Sequence, residues 1–465
     1  MKIYFNGAAQ TVTGAQFLIE TKGGSFLLDC GLYQGKRQDT YDRNRNFNFP
    51  IKKLDAVILS HAHIDHSGNL PNLIKNGYNG PIFATPPTSA LVDVMLRDSG
   101  HIQESDAAFI NKKKIKRGEP LVEPLYTIED AERVVDYIEP QPYKKTFQPV
   151  PGVTAHFVDA GHILGSASIV LEVEENHHVT KFWFSGDIGR KKLPLIPDPV
   201  LPHDVDYLLM ECTYGDKPHR DPQDAYVEFR EVVRRTVSRG GKIIIPCFAV
   251  GRTQELVYFL NEMFTKKEIK PVPVFVDSPL AVAATKVFQE YPEYFDEETR
   301  QFVLSGKHPA LNFDQLTYIQ SVEESKALNE RNEPMIIMSA SGMAETGRIL
   351  HHLKNNIEDP RNTVVIVSWQ APDTLGRRLA DRDRFVKIFG EEYECKAEIA
   401  TIGGLSAHAG QDALLEYARG VNGRAKEIIL VHGEPAVEAV FQQKLTENKI
   451  GPVVYPYLHE SLELS

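Results

Sequence analysis

Residues 60–68 read Ser60-His61-Ala62-His63-Ile64-Asp65-His66-Ser67-Gly68 and directly follow the short apolar run Ala56-Val57-Ile58-Leu59. The apolar run predicts a buried strand, which places the histidines on a loop at its end. Three imidazoles and a carboxylate so close together are borderline-soft ligands of the kind that suit zinc. In an extended H-x-H segment both imidazoles face the same side and can reach one metal ion. Asp65 and His66 lie past the bend, where they can reach a second ion.

One such cluster cannot complete two metal sites, so further ligands must lie downstream. Three candidates stand at strand ends or in glycine-bounded loops: His162 in Ala160-Gly161-His162, Asp187 in Ser185-Gly186-Asp187, and His432 in Leu430-Val431-His432-Gly433. Taken alone, each later histidine is more simply explained as a core or loop residue. The set as a whole favours a metal site.

The composition is that of a water-soluble protein with two domains. A chain of 465 residues exceeds what one core usually holds, and its 42% apolar and 25% charged residues are ordinary. We expect no membrane partner, because no apolar stretch approaches the length of a membrane span. Four scattered cysteines without a C-x-x-C pair, and an N-terminus that turns polar early, predict a cytoplasmic protein. The net charge of −11 is unfavourable for a nucleic-acid partner, although a local basic cleft can outweigh it.

The periodicity of apolar residues changes along the chain. Two short β-like segments flank Lys22-Gly23-Gly24 and predict a hairpin, a helix is predicted over 69–76, and residues 96–145 are mostly helical. Further strands are predicted at 169–173, 182–185 and 207–210. From residue 242 strands and helices alternate, with strands at 242–246, 272–277, 334–338 and 363–367 and a helix over 252–264. Such alternation predicts an α/β domain with a parallel sheet.

The motif His61-Ala62-His63-Ile64-Asp65-His66 resembles the signature of the metallo-β-lactamase superfamily. Asp29 matches the first motif of that superfamily, His162 the third and Asp187 the fourth. The chain is further similar to the β-CASP subgroup of RNA-processing nucleases, on Glu211, on the histidine of Leu405-Ser406-Ala407-His408, and on Leu430-Val431-His432. The resemblance covers nearly the whole chain, from about residue 3 to about residue 435.

The resemblance implies an α/β fold in which an αββα metallo-β-lactamase sandwich carries an inserted parallel-sheet β-CASP domain. We expect the lactamase-like domain at 1–213 plus 395–465 and the β-CASP domain at 214–394, with the active site in the cleft between them. It also implies two zinc ions per chain. His61, His63 and His162 would hold one ion, Asp65, His66 and His432 the other, and Asp187 would bridge them. Asp29 would orient a ligand imidazole.

The implied activity is a zinc-dependent ribonuclease. A hydroxide between the two metals would attack phosphorus, leaving 5′-phosphate and 3′-hydroxyl ends. Asp65, Glu211 and His408 are the predicted catalytic residues, with His408, oriented by Glu211, as the general acid. Histidine at position 432 implies single-stranded RNA rather than DNA as the substrate. An endonuclease is favoured, although the residues leave an exonuclease open, and they also leave open whether the chain forms a homodimer.

Two segments of the second domain resemble phosphate-contacting motifs. Met338-Ser339-Ala340-Ser341-Gly342 follows a predicted strand, offers hydroxyls and exposed N–H groups, and has Arg348 nearby. Pro246-Cys247-Phe248-Ala249-Val250-Gly251-Arg252 repeats the arrangement. The predicted phosphate contacts are Arg252, Ser339, Ser341, Gly342 and Arg348. The plainer alternative is an ordinary strand–loop–helix connection.

Two other functions stay open on the sequence: a metallohydrolase of small esters, thioesters, lactams or phosphodiesters, and a catalytically inactive RNA-binding subunit. The Glu211–His408 pair could equally be a buried structural hydrogen bond. Several conspicuous features are predicted to be structural. The basic run 112–117 is expected on a solvated helix face, His177-His178 and His351-His352 at the surface, and Trp183 in the core.

Overall fold

The computed structural model describes residues 1–35, 37–304, 311–421 and 423–465. The strands are β1 (Lys2–Phe5), β2 (Phe17–Thr21), β3 (Gly24–Leu28), β4 (Ala56–Ile58), β5 (Ile82–Ala84), β6 (Ile138–Pro140), β7 (Val153–Asp159), β8 (Ala167–Glu175), β9 (His178–Phe184), β10 (Tyr207–Glu211), β11 (Ile243–Pro246), β12 (Val274–Asp277), β13 (Leu316–Ile319), β14 (Ile336–Ser339), β15 (Thr363–Ile366), β16 (Phe385–Ile388), β17 (Glu391–Glu394), β18 (Glu398–Thr401), β19 (Glu427–Val431), β20 (Val453–Val454) and β21 (Ser461–Glu463).

The α-helices are α1 (Arg37–Arg45), α2 (Ile64–Ser67), α3 (Leu70–Lys75), α4 (Pro86–Arg117), α5 (Ile128–Glu132), α6 (Pro222–Ser238), α7 (Arg252–Thr265), α8 (Pro279–Glu290), α9 (Glu297–Leu304), α10 (Val322–Glu330), α11 (Ile349–Asn356), α12 (Leu375–Ala380), α13 (Gln411–Arg419) and α14 (Pro435–Glu447). Short 3-10 helices lie at Ile51–Lys53, Arg133–Tyr137 and Pro292–Tyr294. Among the described residues, no helix combines the length and the apolar character needed to cross a membrane.

The first compact unit comprises residues 1–191, 198–218 and 408–465 and contains two sheets. Their strand orders are β21-β1-β2-β3-β4-β5-β6 and β20-β19-β10-β9-β8-β7. The two sheets share one core, in which Phe17 and Phe26 of the first sheet meet Phe157 and Phe184 of the second. The rings of Phe17 and Phe184 meet edge to face with centroids 5.4 Å apart. Face-to-face stacking of two sheets over such a core makes a sandwich.

Helices cover the outer faces of this sandwich. On the second sheet, Leu208 packs in one cluster with Leu414 of α13 and Phe441 of α14. Helices α3 and α4 belong to the same unit and bury their apolar residues, among them Leu70 and Leu91. The predicted αββα layering is therefore confirmed for this unit.

The second compact unit comprises residues 192–197 and 219–407, and its main sheet has the order β13-β12-β14-β11-β15-β18. Every pairing in that sheet is parallel. The central strand β11 is buried on both faces, because Ile243, Ile244 and Ile245 are all inaccessible to solvent. The parallel α/β domain predicted from the alternation of strands and helices is confirmed.

The second unit ends later than the boundary that we predicted at residue 394. Strand β18 pairs with β15 in the register Thr363↔Glu398, so this part of the chain completes the parallel sheet of the second unit. The unit therefore extends to Ala407.

Other sequence predictions can be compared directly with the structure. Trp183 lies in the core and donates from Nε1 to Tyr417 Oη at 2.7 Å, as expected. The basic run 112–117 forms the largely exposed last turns of α4, and His177-His178 is exposed. The expectation that His352 lies at the surface was wrong. His352 is fully buried, and its Nε2 donates to Asp277 Oδ2 at 2.6 Å. The sequence gives no sign of this partner, which is 75 residues away.

Candidate metal centre

Strand ends of the first unit bring the predicted ligands together. His61 follows β4, Asp187 follows β9 and His432 follows β19. The chain turns sharply at two of these ends, since Gly186 has φ +56° and His432 itself has φ +52°. Gly433 has to be small, because a Cβ there would lie 2.5 Å from Cys212 Sγ. Tight turns after buried strands therefore aim these side chains at one place.

The first ligand cluster consists of His61, His63, His162 and Asp187, whose ligand atoms all lie within 4.8 Å of one another. His63 Nδ1 is 3.1 Å from His61 Nε2 and 3.1 Å from His162 Nε2. Asp187 Oδ2 is 3.5 Å from each of those two Nε2 atoms. Four ligands around a tetrahedral zinc ion stand about 3.3 Å apart. The cluster thus has the spacing of the edges of a zinc tetrahedron.

The second ligand cluster consists of Asp65, His66 and His432. The Nε2 atoms of the two histidines are 3.3 Å apart, and His432 Nε2 is 3.5 Å from Asp65 Oδ2. Asp187 reaches this cluster with its other oxygen, because Oδ1 is 3.2 Å from His66 Nε2 and 3.8 Å from His432 Nε2. One oxygen of Asp187 therefore faces each cluster, which is the arrangement of a bridging carboxylate.

Asp29 and Ser60 fix the orientation of two imidazoles from behind. His66 Nδ1 donates to Asp29 Oδ2 at 2.7 Å, so its Nε2 faces the second cluster. Ser60 Oγ donates to the same Asp29 oxygen at 2.7 Å and lies 3.0 Å from His61 Nδ1. With Nδ1–H donating to Ser60, the Nε2 lone pair of His61 faces the first cluster. A protein group behind each ligand imidazole is usual at metal sites.

Thr213 gives His432 the same support. Its Oγ1 lies 3.0 Å from His432 Nδ1 and 3.1 Å from the carbonyl oxygen of His432. The backbone N–H of His432 donates to Ala8 O at 2.7 Å, which ties the turn to the N-terminal loop. Our sequence reasoning missed Ser60 and Thr213. The available signal was their position, since Ser60 directly precedes His61 and Thr213 comes two residues after Glu211.

The charge states of His61, His162 and Asp187 suit metal binding. Burial and the neighbouring imidazoles hold the pKa of His61 and of His162 well below the ordinary value, so both rings are neutral and offer lone pairs. Burial disfavours the charge on Asp187, but His66 and His432 outweigh it and hold the pKa of that carboxyl well below its usual range. Asp187 Oδ1 is buried and accepts no hydrogen bond from the described residues. Such an ionised, unsatisfied oxygen fits a cation at this position.

A third group joins this centre, formed by Asp187, Glu211 and His408. His408 Nδ1 donates to Glu211 Oε1 at 3.0 Å, and His408 Nε2 stands 3.8 Å from Asp187 Oδ2. Glu211 is held by two backbone donors, Ile188 N at 2.7 Å and Thr213 N at 3.1 Å. Burial disfavours the imidazolium, but the carboxylates of Glu211 and Asp187 outweigh it and raise the pKa of His408 to about 9.

The predicted phosphate contacts lie in the second unit, and three of them are already engaged there. Arg252 is only 7% exposed, and its Nη1 pairs with Glu255, so its guanidinium binds a protein carboxylate instead of facing solvent. The Ser339 hydroxyl is buried and donates to Asp277 O at 2.7 Å. Arg348 donates to Asp277 Oδ1 at 2.6 Å but keeps a fifth of its side chain exposed.

The other two, Ser341 and Gly342, lie in the loop after β14. Ser341 is half-buried, and its Oγ accepts from Glu345 N at 3.4 Å. Gly342 is buried, and its carbonyl accepts from Gln370 Nε2 at 3.0 Å. Only Ser341 and Arg348 of the five predicted contacts therefore keep part of a side chain exposed.

Three family models match the chain. The metallo-beta-lactamase superfamily matches residues 11–93, the Beta-Casp domain residues 253–379, and the Zn-dependent metallo-hydrolase RNA specificity domain residues 392–456. Fold and centre thus define a protein of the metallo-β-lactamase superfamily. The chain is 38% identical over 435 residues to Ribonuclease TTHA0252 of Thermus thermophilus, covering 93% of each chain. The chain belongs to the β-CASP family of that superfamily.

Two further relatives are similar to most of this chain. Transcription termination factor FttA of Methanosarcina mazei is 31% identical over 440 residues, covering 92% of this chain and 66% of that protein. The factor of the same name from Pyrococcus abyssi is 32% identical over 448 residues, with the same shares. A crystal structure of a protein of unknown function from Enterococcus faecalis V583 covers 100% of this chain and 99% of its own, with a TM-score of 0.57 at 14% identity. That likeness shows the fold alone.

Proposed function

We propose that the protein is a zinc-dependent ribonuclease that hydrolyses single-stranded RNA and leaves 5′-phosphate and 3′-hydroxyl ends. The observation that carries this proposal is the position of Asp187, which faces one ligand cluster with Oδ2 and the other with Oδ1. Shared carboxylates of this kind are typical of two-metal centres that act on phosphodiesters. The donor set of imidazoles and carboxylates, without a thiolate, supports zinc.

The two ligand clusters would hold one zinc ion each, the first through His61, His63 and His162 and the second through Asp65, His66 and His432, with Asp187 shared. The ions would supply Lewis-acid stabilisation of the charge on the phosphodiester oxygens and would activate water. Asp29 and Thr213 keep the ligand imidazoles in the tautomer that presents Nε2.

His408 is the proposed general acid. Glu211 holds Nδ1, so Nε2 is the atom that gives its proton to the departing 3′-oxygen. A P–O bond to the attacking water forms while that water releases a proton to solvent, the P–O3′ bond breaks, and the 3′-oxygen takes the proton from His408 Nε2 and leaves as a hydroxyl. This balance leaves the phosphate on the 5′ end of the downstream product. A general acid of this kind contributes about a hundred- to ten-thousandfold in rate.

We propose RNA as the substrate on two grounds, the names of the relatives and the histidine at position 432. The relative named as a ribonuclease is matched along 93% of its length, whereas the two transcription termination factors are each matched along 66% of their length. We therefore favour nuclease activity as the function of this chain. We also assign the first unit as the metallo-β-lactamase domain, which carries the chemistry, and the second unit as the β-CASP domain.

The test uses RNA and DNA of one sequence, labelled at either end, with and without a chelator. We expect RNA to be cut much faster than DNA, cleavage to stop on chelation and to return with zinc, and the downstream product to carry a 5′-phosphate. Products ending in 2′,3′-cyclic phosphate would contradict attack by water. RNA that is bound but left intact in zinc would indicate an RNA-binding subunit, and hydrolysis of a lactam or thioester alone would indicate a small-molecule hydrolase.

A further inference from the structure

Two large aromatic side chains of the second unit stay exposed at the end of its parallel sheet. Phe248 is 46% exposed and Trp369 is 51% exposed, although rings of this size are mostly buried in folded proteins. Neither residue takes part in the metal centre or in the proposed proton transfer. Phe248 comes two residues after β11, and Trp369 comes three residues after β15.

The register of the sheet brings these two loops side by side. β11 lies between β14 and β15, with Ile243 paired to Ile336 on one side and to Thr363 on the other. All three strands run parallel. Pro246 at the end of β11 is paired with Ser339 at the end of β14, and the register Ile244↔Val364 brings the end of β15 to the same level. Neighbouring strands are about 4.8 Å apart. The carboxyl ends of the strands of an open α/β sheet are its usual ligand-binding edge.

Gly342, in the loop after β14, supports both aromatic loops. A Cβ there would lie 3.2–3.3 Å from the ring of Phe248, so glycine allows this ring to lie against the backbone. The side chain of Gln370, next to Trp369, is buried and donates from Nε2 to the carbonyl oxygen of Gly342 at 3.0 Å. The loops that carry Phe248 and Trp369 are therefore fixed to one common backbone segment.

The same edge carries polar groups that suit phosphates. Arg348 is held from two sides, by Asp277 Oδ1 at 2.6 Å and by the carbonyl oxygen of Gln320 at 2.7 Å. This fixes the guanidinium in place while part of it stays exposed. Ser341 adds a half-buried hydroxyl in the loop that Gly342 belongs to. Rings, a cation and a hydroxyl along one edge of the sheet suit the bases and phosphates of a single strand. An apolar protein surface would offer no acceptor to the exposed part of this guanidinium.

We propose that Phe248 and Trp369 form a stacking platform for the bases of single-stranded RNA, at the carboxyl edge of the second unit's sheet. The proposal rests on the proposed ribonuclease function and adds a base-binding subsite to it. Stacking on an aromatic ring tolerates any base, because every base has a π face. The platform would therefore strengthen binding without imposing a strict sequence preference.

Tryptophan fluorescence tests the platform in the unmodified, zinc-loaded protein. The chain has two tryptophans, and Trp183 is buried in the first unit, so a base stacked in the second unit changes the emission of Trp369. The probe is a short oligoadenylate with phosphorothioate linkages, and its binding is followed in parallel by the anisotropy of an end label. An abasic oligomer of the same length is the matched control for phosphate contacts.

We expect the oligoadenylate to quench the emission in step with the anisotropy, and the abasic oligomer to bind without quenching. Trp369→Ala and Phe248→Leu should each weaken oligoadenylate binding about five- to hundredfold, with kcat nearly unchanged and KM raised. Phe385→Ala, which removes a ring that is 44% exposed elsewhere in the second unit, should have no effect.

Three results would overturn the platform. Binding by anisotropy and normal cleavage with unchanged fluorescence would remove the platform and leave the ribonuclease function standing. Equal quenching by the abasic oligomer would attribute the signal to phosphate contacts. RNA that is neither bound nor cut would refute the platform and the proposed function together.

Discussion

Replacing His408 with alanine separates proton transfer from metal binding. His408 Nδ1 is committed to Glu211, and no ligand distance within the two clusters depends on the His408 ring. After the replacement, Glu211 still accepts from the N–H groups of Ile188 and Thr213, so its buried carboxylate keeps two donors. The loss of the charge-assisted hydrogen bond to Glu211 costs about 1.5–3 kcal/mol of folding stability. We therefore expect a folded protein with its full zinc content.

The rate of RNA cleavage should fall about a hundred- to ten-thousandfold in this variant. This corresponds to about 3–5 kcal/mol of lost transition-state stabilisation. Asp187→Ala should differ in kind, because it removes the two oxygens that face both clusters and should release metal. Zinc content and cleavage rate have to be measured on the same preparations. His178→Ala, which removes an exposed histidine of the same unit, is the matched control and should be unchanged.

Two results would refute this reasoning. If His408→Ala loses zinc as readily as Asp187→Ala, His408 is a metal ligand. If it cleaves RNA at the parent rate, another group protonates the departing oxygen. Full zinc with a reduced rate is the result that supports a general acid.

Three further predictions follow from single side chains. His408 donates only while protonated, and the pKa of its imidazole is raised to about 9. Bound cations lower this pKa, so cleavage should decline at or below pH 9 as the pH rises, and His408→Ala should lack this decline. Burial raises the pKa of Glu438 to about 8, so the stability that its neutral form contributes is lost as the pH rises from about 4.5 through 8. Glu438→Gln should therefore raise the free energy of unfolding by about 1 kcal/mol or more at pH 9 but hardly at pH 4, and an equal gain at both pH values would contradict this prediction. Gly433→Ala should displace His432 and lower the zinc content towards one ion per chain, because the new Cβ meets Cys212 Sγ. Gly403→Ala, whose new Cβ has Arg220 atoms at 3.9–4.0 Å, is the control and should keep its zinc, and equal zinc content in the two variants would contradict the prediction.

Local pattern was sufficient for most of the fold. The hairpin around Lys22-Gly23-Gly24 and the alternation from residue 242 onward each reflect periodicity over a few residues, and both are confirmed. The long helix Pro86–Arg117 was only partly predicted, because its start lies in a Pro-Pro-Thr-Ser segment that reads locally as a turn. The extent of the second compact unit beyond residue 394 was not predicted, for another reason. The place of β18 depends on its partner strand β15, and local composition does not carry that information.

The candidate site was predictable at the positions where a sequence motif specifies the residue type. The supporting residues around it could not be predicted in this way. Ligand residues need a specific atom at a strand end, so His61 and Asp187 stand out in the sequence. The burial of His352 beside Asp277, 75 residues away, is set by packing in three dimensions. The pairing of Arg252 with Glu255 is instead a local contact within one helix. Ser60 and Thr213 have common side chains whose importance comes only from the imidazole that each one contacts.

Anomalous diffraction at the zinc absorption edge, on crystals of the protein grown in zinc, would locate the metal ions directly. We predict two peaks roughly 3.5–4 Å apart, one beside each oxygen of Asp187. His61, His63 and His162 should surround the first peak, and Asp65, His66 and His432 the second. A single peak, or two peaks that do not share Asp187, would contradict the bridged two-metal centre.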